Sequence, residues 1–240
     1  MCYYNRPNLV RFALHSVKRQ SYKNWEICFV DDGSDISAKD SIDEILGDEK
    51  DKIFYFNTNL STEEKKINGG SNFGSYWNLR CQLSNADYAL ILCDDDALMK
   101  EYLSNLDQYF QKTNKKWCYS HFAPYNPYEQ TEFLQEKIKC NNEMFKNFSV
   151  DLNPESVLEA CQVVFSLDAF KNNGIEFAYP KTANLDSDLF EKLFPLYGLC
   201  SFCSFYGQFK SVSHNRLEIR QNSENLFYVN DIDIEFRPEF

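Results

Sequence analysis

No uninterrupted apolar stretch of membrane length occurs in these 240 residues, and no signal-peptide pattern opens them. The nearest candidate, Leu193 to Phe209, is broken by Pro195, Gly198, Gly207 and serines, and reads as buried strand and turn. The expectation is a cytoplasmic protein with no transmembrane segment, peripheral membrane contact being left open. Basic residues are scarce. Twenty-five Lys and Arg against 36 Asp and Glu leave a formal charge of −11, which repels nucleic acid and gives no global attraction to an anionic membrane. Nucleic acid is therefore not an expected partner, and any phosphate must be held by a local device. A divalent cation between carboxylates is one such device.

Internal repeats and low-complexity tracts are also missing. Cysteine pairs at metal-ligand spacing are nearly so: Cys200-x-x-Cys203 has no second pair to complete a zinc site. The nine cysteines are odd in number, and several fall within apolar runs, so they read as buried free thiols in a reducing compartment. What the chain does have is a core. Hydrophobic residues make up 43% and aromatics 16%, with 21 Phe and 15 Tyr, which fits one packed domain, with or without a small appended lobe.

Val10, Ala13, Leu14 and Val17 follow the spacing of a helix with one buried face, and Pro7 suits its first turn. Glu26 to Val30 is a short apolar run that empties into Asp31-Asp32-Gly33-Ser34, the pattern of a buried parallel strand ending in a loop. Ile53 to Phe56 predicts another strand, and Ser75 to Ser84 a helix. Tyr88 to Cys93 is the clearest buried strand and runs into Asp94-Asp95-Asp96. A helix is expected next, with Leu98, Tyr102, Leu106 and Tyr109/Phe110 inward. Strands are expected at Trp117 to Phe122 and Val163 to Leu167, a helix at Asp186 to Phe194, and short strands from Phe205 onward. The polar, aromatic stretch Ala123 to Asn153 reads as an insertion over the site. Alternating strands and helices imply a mostly parallel sheet covered on both faces.

Two parallel strands that deliver carboxylates to one sheet edge make a shared crevice, where open α/β sheets place ligands. Hard oxygen ligands of this kind suit Mg²⁺ or Mn²⁺. Asp96 has a second reading, as the cap of the following helix. Asp186 precedes Leu189, Phe190 and Leu193 by three, four and seven residues, which puts it on the buried side of its helix; its alternative is an N-cap.

The ordered set Tyr4-Asn5-Arg6-Pro7, Ser21 to Glu26, Val30 to Ser34, Asn68-Gly69-Gly70 and Leu92 to Asp96 resembles family 2 glycosyltransferases of the GT-A fold. The likeness resumes at Val163 to Phe170 and Leu185 to Phe190. It implies an α/β, Rossmann-like sheet flanked by helices with a small acceptor-side subregion. The single domain 1–240 divides into a nucleotide-sugar-binding half (1–122) and an acceptor-side half (123–240). The implied activity is metal-dependent, inverting transfer of a hexose-like sugar from a nucleoside diphosphate, of UDP type, to an acceptor hydroxyl on a saccharide, a lipid-linked molecule or a protein.

By the same resemblance, Tyr4 stacks on the base and Asp32 hydrogen-bonds it, with Asp31 beside it. Asn5, Arg6, Gly70 and Asn78 belong to the donor site, and Asp94 lies against the ribose or sugar. Asp95, with Asp96 assisting, holds Mn²⁺ or Mg²⁺, and Asp186 is the catalytic base. His214 completes the metal shell, contacts the leaving phosphate or is an ordinary hydrogen-bonded residue. Where relatives carry an Arg-Asn pair, this chain has Trp77-Asn78, leaving Arg80 as the candidate diphosphate contact. Cys93 replaces the first Asp of the metal motif. Two other readings stay open: a nucleotide-sugar-binding protein without catalysis, and a nucleotidyltransferase, although the glycine-rich basic phosphate loop expected of the latter is absent.

Overall fold

The computed structural model describes residues 1–125, 158, 160–178 and 185–211. Two short parallel crossings open the chain. Strand β1 (Cys2–Tyr3) leads through a turn to helix α1 (Leu9–Lys18), which buries Leu9, Val10, Phe12, Ala13, Leu14 and Val17, and then to β2 (Ile27–Asp31). Helix α2 (Lys39–Leu46) returns the chain to β3 (Ile53–Asn57). The three strands pair in parallel in the order β1-β2-β3, with Tyr3 opposite Asp31 and Asp31 opposite Asn57. Their carboxyl ends therefore coincide.

Helices α3 (Thr62–Asn68) and α4 (Phe73–Leu83) follow, then β4 (Tyr88–Leu90), β5 (Ala97–Leu98), α5 (Tyr102–Thr113) and β6 (Trp117–Tyr125). The later described elements are β7 (Val163–Ser166), α6 (Asp168–Asn173), α7 (Leu185–Tyr197) and β8 (Ser201–Ser211). These strands order as β4-β7-β6-β8-β5. Pairs β4/β7, β6/β7 and β5/β8 are antiparallel, whereas β6/β8 is parallel. A single parallel bridge between Cys2 and Cys93 joins the two sheets at the point where the acidic segment leaves β4. The α/β class expected from the sequence holds, and the mixed half is the part that the alternation of elements did not convey.

Packing explains why the sheet is covered on both sides. Successive residues of a strand face opposite ways. On β2, Phe29 joins one core with Tyr3, Val10, Leu14, Ile42, Leu46 and Tyr102, while Val30 joins a second core with Trp77, Trp117, Phe165, Phe170, Leu189 and Phe190. The division at residue 122 falls inside β6, and β8 pairs with strands from both sides of it, so the two halves share one sheet.

Local differences have local causes. Leu98, expected in a helix, sits in β5, and α5 begins only at Tyr102. Helix α3 went unread although its start is written in the sequence. Ser61 accepts from the Glu64 amide at 3.2 Å and donates its own amide to Glu64 at 2.8 Å, a capping box. At its other end Gly69, with φ +74°, and Gly70 donate to the Lys66 and Lys65 carbonyls, a Schellman closure. No helix among the described residues is long and apolar enough to cross a membrane. All eight described cysteines are free, and the buried Cys203 donates to the Tyr119 carbonyl; Cys140 lies outside the described residues.

Gly207 marks the tightest contact between β8 and α5. A side chain there would run into the ring of Tyr102 and the hydroxyl of Ser120, which are hydrogen-bonded to each other at 3.0 Å and buried. Gly207→Ala should therefore cost about 1–3 kcal/mol, the usual penalty for over-packing. Chemical denaturation reads this directly, and an unchanged unfolding midpoint would show that the helix gives way freely.

Candidate functional site

The carboxyl edge of β1 and β2 gathers most of the residues singled out in the sequence. Asp31, fully buried, closes the end of β2. Its Oδ1 accepts from the Ser34 amide at 2.9 Å and its Oδ2 from the Tyr55 hydroxyl at 2.6 Å. Burial and that bond push the Tyr55 hydroxyl up to about 12, so it stays protonated and donating. Asp31 thus holds the loop together through both of its carboxylate oxygens. Gly33, with φ +70°, lies so close to the Leu60 carbonyl that no side chain fits, which fixes the turn that carries Asp32.

Asp32 faces the edge. Its Oδ1 accepts from the hydroxyls of Thr58 at 3.1 Å and of Ser71, and its Oδ2 lies 3.1 Å from Lys65 Nζ. Lys65 also donates to the Asp32 carbonyl, and its ammonium stands 4.1 Å from the centroid of the Tyr4 ring. The Tyr4 hydroxyl meets Thr62 at 3.1 Å, at the start of α3. Asn5, at φ +49°, clamps the opposing loop: its side-chain oxygen accepts from the amides of Asp35 and Ile36 at 2.8 and 3.2 Å. Its amide group is engaged within the protein, which makes Asn5 a builder of the edge.

The acidic run is reached directly from β1. The Tyr4 amide donates to Asp94 Oδ2 at 3.3 Å, and Arg6 Nη1 stands 3.1 Å from both Asp94 Oδ1 and Asp95 Oδ2. Asp96 is followed by β5, and its Oδ1 accepts from the Ser211 amide at 2.8 Å, so it caps no helix. Ligand atoms of Cys93, Asp95 and Asp96 lie within 4.8 Å of one another. Burial first, then Asp96 and Asp95, push the Cys93 thiol well above its ordinary range. Two hard carboxylates beside one softer sulfur fit Mn²⁺, and fit Mg²⁺ less well, since Mg²⁺ prefers oxygen alone.

Other expected residues are placed elsewhere. Both ends of the Asn78 amide are engaged by the Phe177 backbone, at 2.7 and 3.0 Å, so this residue ties α4 to the 175–178 segment. Arg80 pairs with Glu26 and packs over Phe54 at 3.4 Å, at the opposite, amino end of β2, which removes it from any diphosphate contact. Gly70 closes α3 through its backbone. Asp186 lies in the first turn of α7, whose Leu189, Phe190 and Leu193 are buried, while Asp188 pairs with Lys192 at 2.6 Å. The Asp186 side chain and the whole of His214 lie outside the described part. Lys65 and Ser71 were not anticipated, and Cys93 was noted only as the residue replacing the first Asp of the metal motif. The Ser61-x-x-Glu64 box would have started a helix at Thr62 and put Lys65 in its first turn beside the edge.

Comparison with known proteins follows the same line. The sequence model described as "Glycosyl transferase family 2" matches residues 1–174. Among solved structures, S. aureus TarS superposes with a TM-score of 0.64 at 14% identity, over 99% of this chain and 40% of that one. Its 1–349 form in complex with UDP-GlcNAc gives 0.64 at 15% identity, over 89% and 57%. A mannosyltransferase from Pyrobaculum calidifontis, in complex with GDP-Man and Mn²⁺, gives 0.61 at 11% identity, over 92% and 59%. The chain thus spans less than two thirds of the length of each of these structures, and at these identities the likeness establishes the fold. No curated protein matches.

Proposed function

Since the chain belongs to glycosyl transferase family 2, we propose that it moves a sugar from a UDP-type nucleotide donor to an acceptor hydroxyl on a saccharide, a lipid-linked molecule or a protein, with inversion at the anomeric carbon and with the help of a divalent cation. The observation that carries this reading is the continuous line of contacts along one sheet edge, Asp32–Lys65–Tyr4–Asp94–Arg6–Asp95. One end offers an aromatic face and a carboxylate, and the other a cluster of acids. A nucleoside diphosphate has the same order of parts.

Hydrogen-bond logic shows how a base would be held. Asp32 only accepts and Lys65 only donates. An edge with a carbonyl beside an N–H, as in uracil or guanine, presents one group to each. Cytosine and adenine also pair a donor with an acceptor, an amino group beside a bare ring nitrogen, so the choice of UDP rests on the family resemblance and not on this pair. The neighbours solved with UDP-GlcNAc and with GDP-Man support a donor of this class.

Asp186 takes the proton from the acceptor hydroxyl while the new bond forms at the anomeric carbon and the bond to the diphosphate oxygen breaks on the opposite face. Cys93, Asp95 and Asp96 would hold Mn²⁺ or Mg²⁺, which when bound neutralises charge on the departing diphosphate. Asp32, Tyr4 and Lys65 hold the base end, and Arg6 stands beside the phosphates. The free thiols support a cytoplasmic location.

A thermal-shift panel tests the reading, with UDP, GDP, CDP and ADP each added with and without Mn²⁺ and followed by hydrolysis of the corresponding sugars. UDP is expected to raise the melting temperature more with Mn²⁺ than without, and more than GDP, CDP or ADP does. Equal stabilisation by all four would remove the base assignment, and stabilisation with no hydrolysis or transfer would leave binding without catalysis.

A further inference from the structure

The acidic cluster already has a cation. One nitrogen of Arg6 lies 3.1 Å from Asp94 and 3.1 Å from Asp95, whose side chains are only 9% and 4% exposed. Two adjacent buried carboxylates without a positive neighbour would be costly to hold in one place. Arg6 itself is 33% exposed and sits in the turn between β1 and α1, outside any helix or strand. Asp95 is also the residue shared with the Cys93, Asp95 and Asp96 group that would hold a divalent ion.

We infer that Arg6 is a resident counter-cation for this cluster, competing with the divalent ion for Asp95 and yielding it only when a nucleoside diphosphate arrives. The inference rests on the metal-dependent reading above. Its logic is an exchange of charges. A bare divalent ion entering the nucleotide-free protein must displace the guanidinium from Asp95, a cost with no new partner to offset it. When a diphosphate enters with the ion, the displaced guanidinium gains phosphate oxygens, which its planar fork of donors suits. Ion and donor therefore help each other bind, and Arg6 is the element that couples them. The role is one of positioning, since Arg6 acts through the residues and groups it pairs with.

Mn²⁺ binding to the full chain, followed by the loss of the free-ion paramagnetic resonance signal, tests this without any turnover. Nucleotide-free wild-type protein is expected to bind Mn²⁺ weakly, and UDP to tighten it by about 5–150-fold, the usual span of such couplings. In Arg6→Gln the nucleotide-free affinity is expected to rise about tenfold and the gain from UDP to shrink. Arg6→Lys keeps the charge and loses the fork, and is expected to fall between the two. It serves in place of Arg6→Gln should that variant fail to fold. If the variants bind Mn²⁺ no more tightly than wild type and keep its full response to UDP, the competition is overturned while the metal site stands. If wild type takes up no Mn²⁺ even with UDP present, the metal-dependent reading falls, and this inference with it.

Discussion

Asp186→Asn is expected to slow sugar transfer by about 10²- to 10⁴-fold, the range that a positioned general base contributes. Affinity for UDP should stay near that of wild type, because Asp186 is assigned to the acceptor and not to the nucleotide. The sequence places it three, four and seven residues before Leu189, Phe190 and Leu193, all buried in the core beneath α7. Asp188, two residues on, is held by Lys192 and makes a useful control. Asp188→Asn should leave transfer largely unchanged. Single-turnover rates with a saturated donor separate the two variants, and an Asp186→Asn enzyme that transfers at the wild-type rate would require another base.

Asp95→Asn has the second large effect. It removes one carboxylate from the Cys93, Asp95 and Asp96 group and one acidic partner of Arg6. If a divalent ion supplies several kcal/mol of stabilisation to the departing diphosphate, the loss in turnover is on the order of 10³-fold. The protein itself should remain folded, because Arg6 keeps Asp94 and the neutral amide fills the same volume. The signature that separates this variant from Asp186→Asn is the ion dependence. Mn²⁺ should no longer add to stabilisation by UDP, whereas Asp186→Asn should keep the whole increment. A normal Mn²⁺ response in Asp95→Asn would move the ion to other ligands.

Much of this edge was legible because short apolar runs that stop at Asp say two things at once: a buried strand, and the place where it ends. The β2 segment ending at Asp31 reads correctly for this reason, whereas the run into Asp94 is strand only over Tyr88–Leu90, half-buried, with Cys93 joined by its bridge to Cys2. Pairing direction was not legible, because a strand such as Val163–Ser166 has the same composition whether its neighbour runs with it or against it. Leu98, Tyr102 and Leu106 mimic a helical stripe, yet Leu98 belongs to a two-residue strand whose only signal is its partner in β8. Polar residues were hardest. Asn78 and Arg80 sit on a helix next to the site in sequence, but helix geometry turns one toward the Phe177 backbone and the other toward Glu26 at the far end of β2. Asp31 and Asp32 look equivalent on paper, but Asp31 ends the strand and bonds inward to Tyr55, whereas Asp32 lies in the turn fixed by Gly33, beside Lys65.

The bond from Ser211 to Asp96 spans 115 positions, and among the described residues β5 is paired by β8 alone. During synthesis the acidic run leaves the ribosome long before its last support does, so Asp96 must wait for its Ser211 partner until residues 201–211 dock. Contacts of such long range are slow to form. Competence to bind the donor therefore arrives as a late event in the life of each molecule. Chains cut short of Ser211 should keep the first three strands and their base-holding end, yet lack an ordered grip on the phosphates.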